Sequence, residues 1–149
     1  MTDAVVSELR GEAARRLAAV DQRLTSGRRT LVDVLGRADR PLTVPDIIAS
    51  ATSALAQSSV YRNLTVLLEA GVVRRLLGTD ELARFELAED LADHHHHLLC
   101  RSCGSVSDVR AAPKLERALS EAARLAADEA GFEVTEHRID LVGRCSACR

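Results

Sequence analysis

The sequence predicts an α+β chain built as two successive units. Three observations carry this. Apolar residues recur at helical spacing up to Gly71, they run in short strand-like stretches from Val72 to Leu87, and two Cys-x-x-Cys pairs bracket a last helix. The 149 residues suffice for one ordinary domain or two small ones sharing a boundary. Apolar residues make up 46% of the chain and aromatic ones only 2%, so its core must be aliphatic.

Val6, Leu9, Ala13, Leu17, Val20 and Leu24 fall on one face of a helix over residues 4–24. Thr25-Ser26-Gly27 breaks it and offers caps for a second helix, Arg28 to Arg37, with Leu31, Val32, Val34 and Leu35 inward. Asp39-Arg40-Pro41 is a turn. Thr43 caps a short third helix, with Pro45 near its first turn and its end near Ser53. A fourth helix covers residues 58–70. Ser58 or Ser59 caps it, Val60, Leu64, Leu67 and Leu68 face inward, and Gly71 stops it. Val72–Leu77 and Leu82–Leu87 are strands joined by the turn Gly78-Thr79-Asp80-Glu81. Short helices followed by a two-strand hairpin are the layout of a winged helix-turn-helix, with the fourth helix in the recognition position.

Past the hinge-like stretch Glu89–Asp93 the pattern changes. His94–Cys100 and Val106–Val109 read as strands. Pro113–Ala130 reads as a helix whose face carries Leu115, Leu119, Ala122 and Ala126, and Phe132–Val142 reads as a closing strand. The expected division is a winged helix in residues 1–88 and a small α/β unit in residues 89–149.

Charged residues are 28% of the chain and the net charge is −2, so the whole is not a strongly basic nucleic-acid binder. The charge is uneven: residues 1–79 carry a net +3 and residues 80–149 a net −5. No apolar run reaches the ~18 to 20 residues of a membrane span, and the N-terminus has no apolar signal core. A cytoplasmic protein is expected, where reduced thiols favour metal over disulfide.

Cys100, Cys103, Cys145 and Cys148 are all the cysteines of the chain. Each pair can bite one side of a tetrahedral ion, and none is left over, which argues against incidental cysteines or a disulfide. Such a site is coordinatively closed and structural. The run His94-His95-His96-His97 is internal, unlike a purification tag, and leads into a strand. Alternate strand residues face opposite ways, so His94 and His96 can serve one site and His95 and His97 another. On the fourth helix, Tyr61 can press on a thymine methyl and Arg62 can reach a base edge or phosphate. Ser58, Ser59 and Asn63 offer phosphate or polar contacts, and Arg23, Arg28 and Arg29 offer contacts to the DNA backbone or minor groove. An ordinary surface helix is the bland alternative. The acidic tip of the wing is not expected to grip phosphate.

Taken in order, Ser59-Val60-Tyr61-Arg62-x-Leu64, Glu69-Ala70-Gly71-Val72-Val73, the histidine run, Cys100-x-x-Cys103-Gly104 and Cys145-x-x-Cys148 resemble the ferric uptake regulator family over residues 15–149. The resemblance implies a homodimeric, metal-responsive repressor with an N-terminal winged helix and a C-terminal dimerisation domain, binding an AT-rich inverted repeat of double-stranded DNA. It implies a structural Zn2+ on the four cysteines. It also implies a sensing site of Glu86, His95 and His97 at the hinge, and a second metal site of His94, His96, Glu116 and His137. Histidine, aspartate or cysteine ligands found in other members fall here on Arg40-Pro41-Leu42, Arg74 and about Ala88, none of which is a ligand type. The fourth sensing ligand is therefore open among Asp39, Asp80, Glu89, Asp90 and water. Two imidazoles and a carboxylate without thiolate suit Fe2+, Mn2+ or Zn2+. The regulatory ion is read as Fe2+ or Zn2+, with iron favoured.

Zinc-, manganese-, nickel- and peroxide-sensing members of the same family are the alternatives. A zinc metalloenzyme is the competing class, but no His-x-Glu precedes the cysteine pair and no His-Glu-x-x-His lies on the Glu116 helix. A metal-storage module would have no use for the Tyr61-Arg62 helix. No enzyme activity, small organic substrate or membrane partner is expected.

Overall fold

The computed structural model of the chain describes residues 3–51 and 55–149. Four helices come first: α1 (Asp3–Ala18), α2 (Ser26–Arg37), α3 (Val44–Ser50) and α4 (Gln57–Glu69). The hairpin of β1 (Val73–Leu77) and β2 (Ala83–Leu87) follows. Then come β3 (His96–Cys100), β4 (Val106–Val109), α5 (Pro113–Ala130) and β5 (Asp140–Gly143). The expected α+β order, a winged helix and then a small α/β unit, is what folds.

Local chemistry explains most boundaries. Thr25 accepts the Arg28 N–H at 3.4 Å and starts α2. Thr43 and Asp46 cap α3 reciprocally, the Asp46 N–H donating to Thr43 Oγ1 and the Thr43 N–H to Asp46 Oδ2 at 3.0 Å. Gly71 turns the chain out of α4 with φ 65°.

Some boundaries differ from expectation. α1 stops at Ala18 rather than near residue 24, because Asp21 takes φ 56° and Val20 lies exposed in the turn. α4 starts at Gln57 behind Ala56, with no side-chain cap, so neither serine plays that part. α3 ends at Ser50, where Ala51 turns extended, short of the expected end near Ser53, a residue outside those described. The strand expected over Phe132–Val142 pairs only from Asp140; Phe132 and Val134 stay exposed. The histidine strand pairs from His96.

One aliphatic core holds the first unit. Leu17, Leu31, Val32, Ile47, Leu67 and Val72 are fully buried in a cluster running from Leu9 to Leu87. Each such leucine contributes roughly 1.5–3 kcal/mol. α4 inserts Val60, Leu64 and Leu67, which turns Tyr61 and Arg62 outward. Leu42 and Phe85 exchange backbone hydrogen bonds at 2.9 and 2.8 Å, stitching the segment before α3 to the wing.

The second unit is a three-stranded sheet in the order β4-β3-β5, with the histidine strand central. β4 runs antiparallel to β3 and sets Asp108 opposite His97. β5 runs parallel and sets Asp140 opposite the same His97. Its apolar interior is thin: Leu99, Cys100, Val106 and Ala127 are the apolar residues buried there among those described.

The wing tip rests on the cysteine turn. Thr79 donates from Oγ1 to the Cys100 carbonyl at 2.7 Å. Arg84, only 6% exposed, donates to the Gly104 carbonyl at 2.7 Å and pairs with Asp80. Asp80 crowds Gly104, where a Cβ would lie 2.3 Å from its carboxylate. On the other side, Arg16 of α1 donates to the Gly71 carbonyl at 2.6 Å and pairs with Asp90.

Gly104 has φ 71° and no room for a side chain, whereas Gly131 has φ 64° in open space. Gly104→Ala should therefore destabilise by about 1–3 kcal/mol. Gly131→Ala should cost only about 1 kcal/mol. Thermal melts of the two variants check the difference.

Candidate metal centres

The four cysteines converge from two ends of the second unit. Cys100 closes β3, Cys103 sits in the turn to β4, and Cys145 and Cys148 flank the short turn after β5. Their sulfurs all lie within 4.8 Å of one another. Cys103 and Cys145 Sγ are 3.8 Å apart, far beyond a disulfide bond. The Cys145 N–H donates to Cys100 Sγ at 3.3 Å, and with its neighbours pulls that thiol down to about 6. Cys148 is pushed the other way, to about 12, first by Cys145 and then by Cys103. Four thiolates this close repel unless they share a cation, and an all-sulfur tetrahedral set fits zinc.

The alternation along the histidine run holds. His94 and His96 turn to α5, where Glu116 offers both oxygens: Oε1 lies 2.9 Å from His96 Nε2, and Oε2 lies 3.1 Å from His137 Nε2 and 3.3 Å from His94 Nε2. These four donors form one cluster. Burial would raise the Glu116 carboxyl, but His96 and His137 outweigh it and hold it below its ordinary value. His96 is 3% exposed and its Nδ1 has no partner.

His95 and His97 turn the other way, toward the wing. Nε2 of each ring lies 3.2 Å from Glu86 Oε2 on β2. Behind them, His95 Nδ1 is tied to the Asp93 carbonyl at 2.8 Å and His97 Nδ1 to Asp140 at 3.2 Å. Both rings are thus oriented with Nε2 facing the carboxylate. Burial would lower His97, but Glu86 outweighs it and holds the imidazole above its ordinary value. Burial would likewise raise Glu86, but His97 and Arg74 hold it down.

The fourth donor is Asp108, which joins Glu86, His95 and His97 within 4.8 Å. None of the expected carboxylates fills that place. Asp80 pairs with Arg84, Asp90 with Arg16, and Glu89 with Arg74 and His94. Asp39 is exposed and helps raise the Asp108 carboxyl only as a neighbouring charge, behind burial itself. Asp108 had a signal in the sequence: the turn from Cys100 to Ser105 sets it opposite His97, and opposite residues of an antiparallel pair share a face. Asp140, the orienting partner, depends on a parallel register with no local mark.

On α4, Tyr61 is 50% exposed, Arg62 is exposed, and Ser59 and Asn63 are partly so. Arg23 is exposed. Arg28 is engaged instead: it donates to the Arg23 carbonyl at 2.6 Å and to Gln22 at 2.9 Å. Among the described residues, no helix is long and apolar enough to cross a membrane.

A winged helix joined to a sheet that carries three clusters of metal donors defines a metal-responsive transcriptional regulator. The model of the ferric uptake regulator family matches residues 19–142, and the chain belongs to that family. It is 29% identical over 140 residues to the peroxide operon regulator of Bacillus subtilis (strain 168), spanning 92% of this chain and 91% of that one. The fold is that of the Helicobacter pylori ferric uptake regulator, at TM-score 0.74 and 22% identity over 96% of this chain and 93% of that one. The Pseudomonas aeruginosa regulator solved with manganese superposes at TM-score 0.68 and 25% identity, over 87% of this chain and 95% of that one.

The Glu86–His97 pair fixes two pH dependences. Glu86 is held below its ordinary 4.5 and His97 above its ordinary 6.5, so in metal-free protein the ion pair stabilises the fold between those values. That stability is lost as pH falls through the lowered Glu86 value or rises through the raised His97 value. A cation must displace the His97 proton, so Mn2+ affinity should climb over the same rise in pH. Metal-free melts and Mn2+ titrations across pH check the opposite trends.

Proposed function

We propose that the chain is a homodimeric repressor that holds double-stranded operator DNA when an ion occupies the hinge centre. One observation carries the reading: Glu86, on the last strand of the wing, reaches the imidazoles of His95 and His97 at 3.2 Å. The donors thus come from both proposed units, a DNA-binding domain of residues 1–88 and a dimerisation domain of residues 89–149. When bound there, a divalent ion supplies positive charge shared by Glu86, His95, His97 and Asp108. Glu86 is fixed to the wing and α4, while the other three are fixed to β3, β4 and the segment before them. Their convergence sets where α4 stands relative to the dimer core. In a dimer it sets the separation of two recognition helices, and an inverted repeat with successive major grooves demands one separation. Only differential affinity for the closed form shifts the population, and roughly 5 kcal/mol takes it from mostly open to mostly closed.

Several features support the remaining parts. Leu115, Leu125, Phe132, Val134, Leu141 and Val142 are exposed on α5, β5 and the segment joining them, and a second copy related by a two-fold axis would cover them. Tyr61 and Arg62 project from α4 toward solvent and suit base and phosphate contacts, with Ser59, Asn63 and Arg23 beside them. The cysteine cluster suits structural Zn2+. The hinge donors, two nitrogens and two oxygens, suit Fe2+ or Zn2+, and iron is our reading. The cluster of His94, His96, Glu116 and His137 holds a further ion. The protein acts in the cytoplasm on DNA, not as an enzyme.

Likeness to the Bacillus subtilis peroxide operon regulator favours a second reading, peroxide response through the same centre. Peroxide added to the iron-loaded protein on its operator separates the two: release of DNA supports peroxide response, and retention supports iron sensing.

Glu86→Ala and His95→Ala dimers should stay folded yet lose metal-stimulated operator binding by about 10- to 100-fold. Cys100→Ser should instead lose folding or dimerisation. Gel shifts and sedimentation measure both, and identical behaviour of the two kinds of variant would overturn the division of roles.

A further inference from the structure

Arg74 stands between the two histidine clusters and belongs to neither. It lies on β1 directly across from Glu86 on β2. Its Nε donates to Glu86 Oε1 at 2.5 Å, and its Nη1 donates to Glu89 Oε2 at 3.0 Å. The other oxygen of Glu89 meets His94 Nδ1, and His94 Nε2 lies 3.3 Å from Glu116. The Arg74, Glu86 and Glu89 side chains are 12%, 9% and 17% exposed, so solvent screens them little. An unbroken line of charge-assisted hydrogen bonds therefore runs from a donor of one cluster to a donor of the other.

We propose that Arg74 and Glu89 couple the two histidine centres, so that filling the centre of His94, His96, Glu116 and His137 weakens the centre of Glu86, His95, His97 and Asp108. This rests on the reading that both clusters hold ions. The sign follows from the charges. Arg74 divides one positive charge between two carboxylates. Once His94 Nε2 is committed to a cation, its Nδ1–H becomes a stronger donor and draws on Glu89. Glu89 then holds Arg74 less, and Arg74 bears more fully on Glu86. A carboxylate so neutralised is a poorer ligand. The same link works in reverse, since coupling of binding is reciprocal. Arg74 is thus a positioning residue: it occupies Oε1 of Glu86 and leaves Oε2 to face the imidazoles.

Mn2+ serves as the probe, titrated by chelator competition into the full-length dimer with zinc on its cysteines. Hinge-centre affinity is compared between the wild type, with the second centre filled, and His137→Ala, with that centre disabled. The hinge centre should be about five-fold or more weaker in the wild type. That difference should vanish when the same pair is compared in an Arg74→Gln background, where hinge affinity should also rise. Glu89→Gln, at a less buried position, should abolish the difference without threatening the fold. If two Mn2+ bind per chain and the difference is absent, or persists in both backgrounds, the coupling is refuted while the metal reading stands. If fewer than two Mn2+ bind per chain, both fail together.

Discussion

A buried carboxylate facing buried imidazoles is the constraint on which this structure turns. Glu86 is 7% exposed and His97 8%, and neither charge could remain there alone. Each is tolerated because the other is present, and because Arg74 and Asp140 hold their far sides. The pairing brings the wing of one unit against the central strand of the other. The groups that pair here as ions are also the groups whose donor atoms suit a shared cation.

Much of this was legible in the residues. Period-two alternation split four histidines into two sets, and the structure keeps that split although pairing begins only at His96. Two Cys-x-x-Cys pairs promised one cluster and form one. The inward triplet Val60, Leu64 and Leu67 left Tyr61 and Arg62 outside, as helical spacing requires. What escaped depends on register or on absent partners. Asp108 enters through the length of the turn before β4, and Asp140 through a parallel crossover. Arg74 matches a ligand position of other members without being a ligand type, and its salt bridges to Glu86 and Glu89 appear only once β1 pairs with β2. Residues 132–139 alternate like a strand, but pairing with β3 starts only at the Ile139 carbonyl, which accepts the His97 N–H at 3.1 Å.

The two units differ in how they are held. The first has a continuous aliphatic core from Leu9 to Leu87. The second buries few apolar side chains and leaves the apolar face of α5 uncovered. A unit of that size with so little interior depends on other stabilisation. The cysteine cluster and the imidazole–carboxylate clusters are the sources at hand. On the proposed reading of a metal-bound dimer, folding, metal uptake and assembly of residues 89–149 are aspects of one equilibrium, while the first unit has an apolar core of its own.

The hairpin of β1 and β2 is attached to the second unit at both ends. Near its base Glu86 faces the imidazoles, and at its tip Thr79 and Arg84 seat on the Cys100 and Gly104 carbonyls. One attachment would be a pivot about which the reading head could swivel in any direction. Two attachments along the same ribbon define an axle, and the Arg16–Asp90 and Arg74–Glu89 pairs are the stops that limit rotation about it.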